Sequence, residues 1–344
     1  METDLSEIID IDWDKLTFSV TPTRSMFKTI CKQGEEWKPG GLIPYGNISI
    51  SPAAGVINYG QGLFEGMKAY RTSEDNISLF RPTENAIRVN RGCRRLCMPE
   101  IPEQLFQEAI EQVVKDNEDY IPPAGKGALY IRPLVFGSGA VLGVKPAPEY
   151  TFLIYVSPVG PYFKGAMSGI HLKVVEDFHR APQYGTGSIK AIGNYAGGML
   201  PAQMVKSDEF REVVYLDARE EKYIEEVGAA NFFLIKDSVL ASPELDGSIL
   251  PGVTRMSVLE MASTEFGYTV EERKIHVEEI FEADEAFCSG TAAVITPIIS
   301  MNYRDREMVY CNGEVGEKTL ALYDGLMQLM LQEREDLYGW LKIL

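Results

Sequence analysis

A glycine-rich stretch around a single lysine decides how this chain is interpreted: Gly185-Thr186-Gly187-Ser188-Ile189-Lys190-Ala191-Ile192-Gly193-Asn194-Tyr195-Ala196-Gly197-Gly198. Lysine is usually a solvated surface charge, which is the first interpretation of Lys190. However, Ile189 and Ala191 flank it, and a lysine held among apolar residues has a lowered pKa. Such a lysine can form an imine with an aldehyde and shuttle protons. Tyr195 could then hydrogen-bond what the lysine holds.

Three downstream elements favour the imine chemistry. Glu225 and Glu226 directly precede an apolar segment that reads as a buried strand, although Glu226 alone could be a strand-end surface charge. The turn Pro251-Gly252-Val253-Thr254 opens a predicted helix, whose first N–H groups can bind an anion. The turn Ser289-Gly290-Thr291-Ala292-Ala293 offers a second anion site. A lysine, a carboxylate and two anion sites together suit pyridoxal phosphate and a substrate carboxylate.

The composition excludes several other classes of protein. Its 344 residues indicate about two domains, and a net charge of −17 disfavours nucleic-acid binding. The five cysteines form no CxxC pair and the three histidines lie far apart, so we expect neither a disulfide framework nor a metal site. Residues 1–4 are acidic where a targeting peptide would be basic, and no apolar run is long enough to span a bilayer. We therefore expect a cytoplasmic protein with no membrane partner.

The apolar patterns predict two α+β domains. We expect a smaller N-terminal α/β domain over residues 1–157, a connection at 158–167 marked by Pro158, Gly160 and Pro161, and a larger domain over 168–344 with a ligand cleft between the two. Strands are expected at 77–80, 127–136, 150–156, 172–175, 212–216, 231–235 and 285–289. Helices are expected at 83–98, 102–117, 194–206, 254–266 and 317–332. These elements lack the regular βαβ rhythm of a doubly wound sheet.

A dinucleotide-binding loop is not indicated. Residues 60–66 contain three glycines, but the last is one position too late for the fingerprint, and no βαβ context follows. We interpret this stretch as close backbone packing.

These motifs together resemble the branched-chain amino-acid aminotransferases of the class IV, fold-type IV pyridoxal-phosphate family. The resemblance runs from about Phe18 to the Trp340 region. It includes Leu63-Phe64-Glu65-Gly66-Met67-Lys68-Ala69-Tyr70, Leu79-Phe80-Arg81-Pro82, Leu129-Tyr130-Ile131-Arg132-Pro133 and the lysine, glutamate and Pro-Gly-Val-Thr-Arg segments. It implies that the larger C-terminal domain is a pseudo-barrel that binds the cofactor.

The resemblance implies cofactor-binding roles. Lys190 would carry the imine linkage and be the catalytic acid and base. Glu226, chosen over Glu225 by the Glu-Val-Gly-x-x-Asn spacing, would bond the pyridine nitrogen, and Tyr195 the ring hydroxyl. The phosphate would meet Arg88, Val253, Thr254 and Thr291.

The resemblance also implies substrate-binding roles. Tyr130 and the amides of Thr291 and Ala292 would hold the substrate carboxylate, with Arg132 nearby. Phe64, Tyr59 and Tyr162 would line an apolar pocket, and Val144 would reach across from a partner subunit in a homodimer. A CxxC redox switch is absent after the Gly-Thr-Ala turn.

The resulting hypothesis is a ping-pong transaminase of amino-acid biosynthesis. It passes the amino group of leucine, isoleucine or valine to 2-oxoglutarate through pyridoxamine phosphate. The rivals within the fold are a D-amino-acid or amine transaminase and aminodeoxychorismate lyase. A non-enzymatic rival is an acidic binding protein in which Lys190 is only a surface charge.

Overall fold

The computed structural model describes residues 11–163, 165, 167–206 and 210–344. The acidic residues 1–4, and residues 164 and 166 of the expected connection, lie outside the described residues. The chain divides into two compact units, one of Met1–Tyr162 with Gln328–Leu344 and the other of Phe163–Met327. Our second domain ran to residue 344, whereas the last segment groups with the first unit. The reason is backbone pairing, because the strand Leu341–Ile343 is hydrogen-bonded to Ile77–Phe80.

The strands and helices follow in chain order. The strands are β1 (Ser25–Lys32), β2 (Gly41–Pro44), β3 (Gly62–Phe64), β4 (Met67–Arg71), β5 (Ile77–Phe80), β6 (Ala128–Gly137), β7 (Glu149–Val159), β8 (Ile170–Val175), β9 (Glu212–Leu216), β10 (Ile224–Val227), β11 (Ala230–Lys236), β12 (Val239–Pro243), β13 (Thr269–Arg273), β14 (Glu285–Gly290), β15 (Val294–Tyr303), β16 (Arg306–Val309) and β17 (Leu341–Ile343). The helices are α1 (Gly55–Tyr59), α2 (Pro82–Arg95), α3 (Glu103–Asp116), α4 (Gly193–Ala196), α5 (Met199–Val205), α6 (Val253–Thr264) and α7 (Glu317–Met330).

The first unit is built on an antiparallel sheet in the order β17-β5-β4-β6-β7-β1-β2, with β3 also on β6. The long strands β6 and β7 pair along their whole length, from Ala128 opposite Val159 to Gly137 opposite Tyr150. Since side chains alternate along a strand, this pairing directs Tyr130 and Arg132 of β6 to the same face.

Helix α3 covers part of this sheet. Its apolar residues recur at helical spacing, with Leu105 half-buried and the other five fully buried: Phe106, Ala109, Ile110, Val113 and Val114. The ring of Phe106 stacks on Phe152 of β7, with centroids 5.7 Å apart and planes 17° from parallel. Burial of one large side chain contributes about 1.5–3 kcal/mol, so this stripe holds α3 to the sheet.

The second unit is a barrel. Its strands run β10-β9-β8-β15-β14-β11, and β10 also pairs with β11, which closes the ring. Strands β12 and β13 extend from β11, and β16 from β15. Stacked rings of Phe233 and Phe287, 4.6 Å apart, lie in the buried strands β11 and β14. The predicted pseudo-barrel and the mixed α/β class are confirmed.

The helices of the second unit depart from prediction at one place. The expected helix 194–206 is two short helices, α4 and α5, separated by Gly197 and Gly198. Two adjacent glycines favour an interruption, because glycine loses the most backbone freedom in a helix. None of the described helices combines the length and the apolar character needed to cross a bilayer.

Candidate active site

Lys190 and Tyr195 lie together in the second unit. The Nζ of Lys190 donates a hydrogen bond of 3.0 Å to the hydroxyl of Tyr195. The surrounding loop is held by Asn194, whose amide donates to the carbonyls of Thr186 and Ile189 at 2.7 and 3.0 Å. Gly187 is required here, because a Cβ at this position would lie 1.9 Å from the carbonyl oxygen of Ser248. The glycine loop therefore packs against a neighbouring segment and orients the lysine.

Glu226 is a buried carboxylate on β10. Its Oε1 accepts from the amide of Asn231 at 3.2 Å, and its Oε2 accepts from the backbone N–H of Leu250 at 3.4 Å. Nε of Arg180 lies 2.5 Å from Oε2. Burial raises the pKa of Glu226, whereas the charges of Arg180 and Lys190 and the N–H of Leu250 lower it.

Glu225 is also buried, but its surroundings differ. One of its carboxyl oxygens, Oε2, has no hydrogen-bond partner among the described residues. Burial raises the pKa of Glu225 to about 7, while a hydrogen bond from Ser248 and the charge of Arg180 oppose the rise. Of the two neighbours, Glu226 is the one in ion-pair contact with Arg180.

The N-terminus of α6, which no side chain caps, lies in the second unit, as do Lys190 and Glu226. Gly252 is the residue before α6, no side chain caps this end, and Val253 and Thr254 are the first helical residues. Gly252 lies against Asn231, because a Cβ on Gly252 would come 2.1 Å from the amide oxygen of Asn231. The amide of Asn231 donates 2.9 Å to the carbonyl of Leu250. Asn231 therefore links the helix start to the carboxylate of Glu226.

Thr291 and Ala292 lie in the turn that joins β14 to β15. The turn leads into Val294, which has a positive φ of 65°, the conformation of tight turns. Beyond the turn, β14 and β15 pair from Gly290 opposite Val294 onward. Thr291 and Ala292 therefore occupy the tip of a hairpin on the barrel.

In the first unit, Phe64, Tyr130 and Arg132 form one group. An Nη of Arg132 donates 3.2 Å to the hydroxyl of Tyr130, and the guanidinium carbon lies 4.9 Å from the ring centre of Phe64. Gly66 makes room for this group, because a Cβ there would lie 2.1 Å from the Tyr130 hydroxyl. The buried Nε of Arg132 has no hydrogen-bond partner among the described residues. A buried donor of this kind fits an anionic ligand.

Arg88 makes an ion pair that the sequence did not predict. Its Nε and one Nη donate 2.8 and 2.6 Å to the two oxygens of the buried Glu65, a bidentate pair. Asn85, one turn earlier on α2, donates 2.8 Å to the same carboxylate. Glu65 therefore fixes the orientation of Arg88.

The remaining predicted residues, Tyr59, Val144 and Tyr162, belong to the first unit. Tyr59 ends α1, and its hydroxyl donates to the carbonyl of Leu142. Val144 lies in the same loop as Leu142 and is 87% exposed, and Tyr162 is 44% exposed at the edge of the first unit. Val144 therefore buries little of its side chain within its own unit.

The residues of the second unit fit pyridoxal phosphate. They supply an amine bonded to a phenol, a buried carboxylate held by an amide and a cation, and an uncapped helix start. These are the groups required by an aldehyde, a ring hydroxyl, a ring nitrogen and a phosphate. Sequence reasoning missed Arg180 and Glu65. Glu65 was visible as an acidic residue inside a quoted motif, whereas Arg180 carried no signal beyond its place before the glycine-rich stretch.

Comparison with known proteins identifies the family. The model of Amino-transferase class IV matches residues 62–301. The chain is 49% identical to branched-chain-amino-acid aminotransferase 5, chloroplastic, of Arabidopsis thaliana, covering 98% of this chain and 81% of the relative. It is 43% identical to methionine aminotransferase BCAT4 of the same plant, covering 96% and 93%.

Solved structures agree. The branched-chain amino acid aminotransferase from Escherichia coli superposes with a TM-score of 0.77 at 27% identity, covering 93% of this chain and 98% of that one. Another solved branched-chain amino acid aminotransferase, determined with pyridoxamine 5'-phosphate, superposes with a TM-score of 0.80 at 26% identity, covering 94% and 99%. The resemblance and the fold-type IV prediction are therefore confirmed, and so is pyridoxal 5'-phosphate as the cofactor. The chain is a pyridoxal-phosphate-dependent aminotransferase and belongs to the branched-chain amino-acid aminotransferase family of class IV.

Proposed function

We propose that this aminotransferase moves the amino group of leucine, isoleucine or valine to 2-oxoglutarate, with Lys190 as its acid and base. The observation that carries the proposal is that the half-buried Lys190 and Tyr195 are hydrogen-bonded to each other in the same unit as the buried carboxylate of Glu226. An isolated surface lysine would not need a phenol as its partner and a buried carboxylate nearby.

Pyridoxal phosphate, when bound, supplies an electron sink for the substrate α-carbon. Nζ of Lys190 would take the proton from that carbon and deliver it to the carbon of the cofactor aldehyde group. The hydroxyl of Tyr195, which accepts a hydrogen bond from Nζ, would bond the ring hydroxyl. The carboxylate of Glu226 holds a proton on the ring nitrogen. Val253, Thr254 and Thr291 bind the phosphate with backbone or hydroxyl donors, as does Arg88 from its place beside Glu65.

The substrate carboxylate is proposed to meet Tyr130, Arg132, Thr291 and Ala292. The unpartnered Nε of Arg132 supports its part in this role. Phe64, which lies against the Arg132 guanidinium, together with Tyr59 and Tyr162 forms the apolar wall for the branched side chain. The amino-acid and 2-oxo-acid substrates are both carboxylates, so this set serves both half-reactions.

Domains, assembly and location are part of the same proposal. We propose two domains joined through residues 158–167, with the C-terminal strand β17 in the first. We also propose a homodimer in which the exposed Val144 completes the partner's pocket. The cytoplasm is the proposed location, and a relative with 49% identity is named chloroplastic, which makes a plastid the competing location.

Methionine is a second candidate amino donor. One relative with 43% identity is named methionine aminotransferase, and methionine is as apolar as leucine. An apolar pocket discriminates poorly between these two, because both side chains have four non-hydrogen atoms and neither carries a strong hydrogen-bonding group.

An amino-donor panel tests the function. Purified protein with pyridoxal phosphate is supplied with L-leucine, L-isoleucine, L-valine, L-methionine, D-alanine or an aryl amine, and glutamate formed from 2-oxoglutarate is measured. Highest kcat/KM with the branched donors supports the proposal, and highest kcat/KM with methionine supports the second candidate. Preference for D-alanine or the amine contradicts both. Pyruvate release from aminodeoxychorismate without transamination would identify a lyase.

Binding of the cofactor is the control. We expect visible absorbance from the wild-type protein with pyridoxal phosphate and none from Lys190→Ala. Lys173→Ala, a change at a lysine on β8 of the same unit, should retain the absorbance. A colourless wild-type protein would contradict the role of Lys190.

A further inference from the structure

Arg180 is a buried cation to which no role has been assigned so far. Its side chain is 7% exposed, and it lies in the second unit ahead of the lysine loop. Charged side chains are almost never buried without a partner. Its partner is Glu226, which is 2% exposed, with Nε of Arg180 2.5 Å from Oε2. The contact is an ion pair, since this Nε has no well-aligned hydrogen-bond acceptor among the described residues.

The charge of Arg180 opposes the effect of burial on Glu226. Burial raises the pKa of this carboxyl group, and Arg180 makes the largest contribution in the opposite direction. The remaining contributions come from the Leu250 N–H, at 3.4 Å, and from Lys190. When Lys190 is bonded to the cofactor aldehyde, it no longer has the ammonium charge that lowers the pKa of Glu226. Arg180 would then be the main cation that favours the ionised carboxylate.

We propose that Arg180 is a positioning residue that keeps Glu226 ionised and directed at the ring nitrogen of the cofactor. This rests on the proposed function, which assigns Glu226 to that nitrogen. Glu226 must be ionised to keep the ring nitrogen protonated, because a carboxylate accepts a hydrogen bond from the N–H group. A neutral carboxyl group would instead donate its own O–H to an unprotonated nitrogen. Arg180 does not touch the cofactor in this scheme and acts only through Glu226.

A structural role for Arg180 has to be separated from this one. One Nη of Arg180 donates 2.9 Å to the carbonyl of Gly187 and also donates to the carbonyl of Ser248. These bonds join the loop before Lys190 to the turn before α6. Loss of Arg180 could therefore loosen the lysine loop without any change in the ionisation of Glu226.

The test uses the holoenzyme loaded with pyridoxal phosphate labelled with nitrogen-15 in the ring. The variants are Arg180→Gln, Arg180→Lys, Glu226→Gln and the double variant Arg180→Gln/Glu226→Gln. The matched control is Arg304→Gln, which removes a solvent-exposed arginine–glutamate pair in the same unit. The nitrogen-15 shift reports ring protonation, and equilibrium titration reports cofactor affinity. Neither readout depends on turnover.

The proposal expects Arg180→Gln to move the nitrogen shift toward that of the unprotonated ring, as Glu226→Gln does, and to lower kcat at least about tenfold. Arg180→Lys should restore most of the shift. The double variant, which holds no unpaired buried charge, should match Glu226→Gln in the nitrogen shift. Arg304→Gln should match the wild-type protein.

Three results overturn the proposal, and the third also overturns the assignment of Glu226. If Glu226→Gln moves the nitrogen shift and Arg180→Gln, still binding cofactor, leaves it unchanged, Arg180 has only a structural role. The same conclusion follows if Arg180→Lys fails to restore the shift. If Glu226→Gln itself leaves the shift unchanged, the assignment of Glu226 in the proposed function fails as well.

Discussion

The ammonium of Lys190 donates a 3.0 Å hydrogen bond to the hydroxyl of Tyr195, five residues later in the same glycine-rich segment. The centre of the tyrosine ring lies 5.3 Å from the same nitrogen. The phenol therefore restrains the lysine by a hydrogen bond and by its ring. Such a restraint limits where Nζ can lie relative to the phenol.

Removal of the Tyr195 hydroxyl should slow turnover. A hydrogen bond with a charged partner is worth about 1.5–3 kcal/mol, so Tyr195→Phe should lower kcat by about tenfold or more and still bind cofactor. The measurement is steady-state kinetics with leucine beside the visible spectrum. Tyr184→Phe is the control, since Tyr184 is 84% exposed, and it should match the wild-type enzyme. Unchanged kcat in Tyr195→Phe would contradict the role of the phenol.

Loss of Arg132 should weaken substrate binding more than cofactor binding. Arg132→Gln removes charge-assisted bonds to the carboxylate, and we expect KM for leucine and for 2-oxoglutarate to rise at least about tenfold. The visible absorbance of the bound cofactor should stay unchanged. Arg24→Gln is the control in the same unit, because Arg24 pairs with Asp119 at the surface. A fall in kcat with unchanged KM would rule out a binding role for Arg132.

Gly252 should resist substitution because of its contact with Asn231. In Gly252→Ala, the new methyl group would fall 2.1 Å from the Asn231 amide oxygen, so Asn231 must shift away from Glu226. We expect weaker cofactor binding, by about tenfold or more, and a lower Tm. Gly193→Ala is the matched control, since a Cβ at Gly193 meets open space. Equal cofactor affinity in both variants would show that the contact of a Cβ at position 252 with Asn231 does not affect cofactor binding.

Glu225 should make stability depend on pH. Its pKa is raised from 4.5 to about 7 in the folded protein. The protonated form therefore stabilises the fold fully below about pH 4.5, and this contribution is lost as pH rises through about 7. The loss amounts to about 3 kcal/mol for a shift of this size.

The unfolding free energy of Glu225→Gln should accordingly change less with pH, between about pH 5 and 8, than that of the wild-type protein. Urea titrations of the second unit's transition at several pH values provide the measurement. Glu74→Gln, at an exposed carboxylate of the first unit, should keep the wild-type slope. A Glu225→Gln slope identical to the wild-type slope would mean that Glu225 does not titrate in this range.

Local patterns carried most of the fold prediction. The predicted strand at Ile77–Phe80 has the bounds of β5, and the helix predicted at 102–117 is α3, which buries one apolar face. The interruption of helix 194–206 at Gly197 and Gly198 also has a local cause, the two adjacent glycines. Placement of β17 was different in kind. Its partner β5 lies more than 250 residues earlier in the chain, and the three residues of β17 contain no pattern that predicts which strand they pair with.

The sequence by itself determined the family and the cofactor and predicted the reactive lysine, because these depend on residue types at short, fixed spacings in several motifs. Only the tertiary structure decided which partners surround each group. It paired Arg88 with Glu65, put Asn231 beside Gly252, and brought Arg180 to Glu226. The physical reason is that a buried charge is satisfied by whatever donor the fold brings within about 3 Å. That donor can come from any distance along the chain.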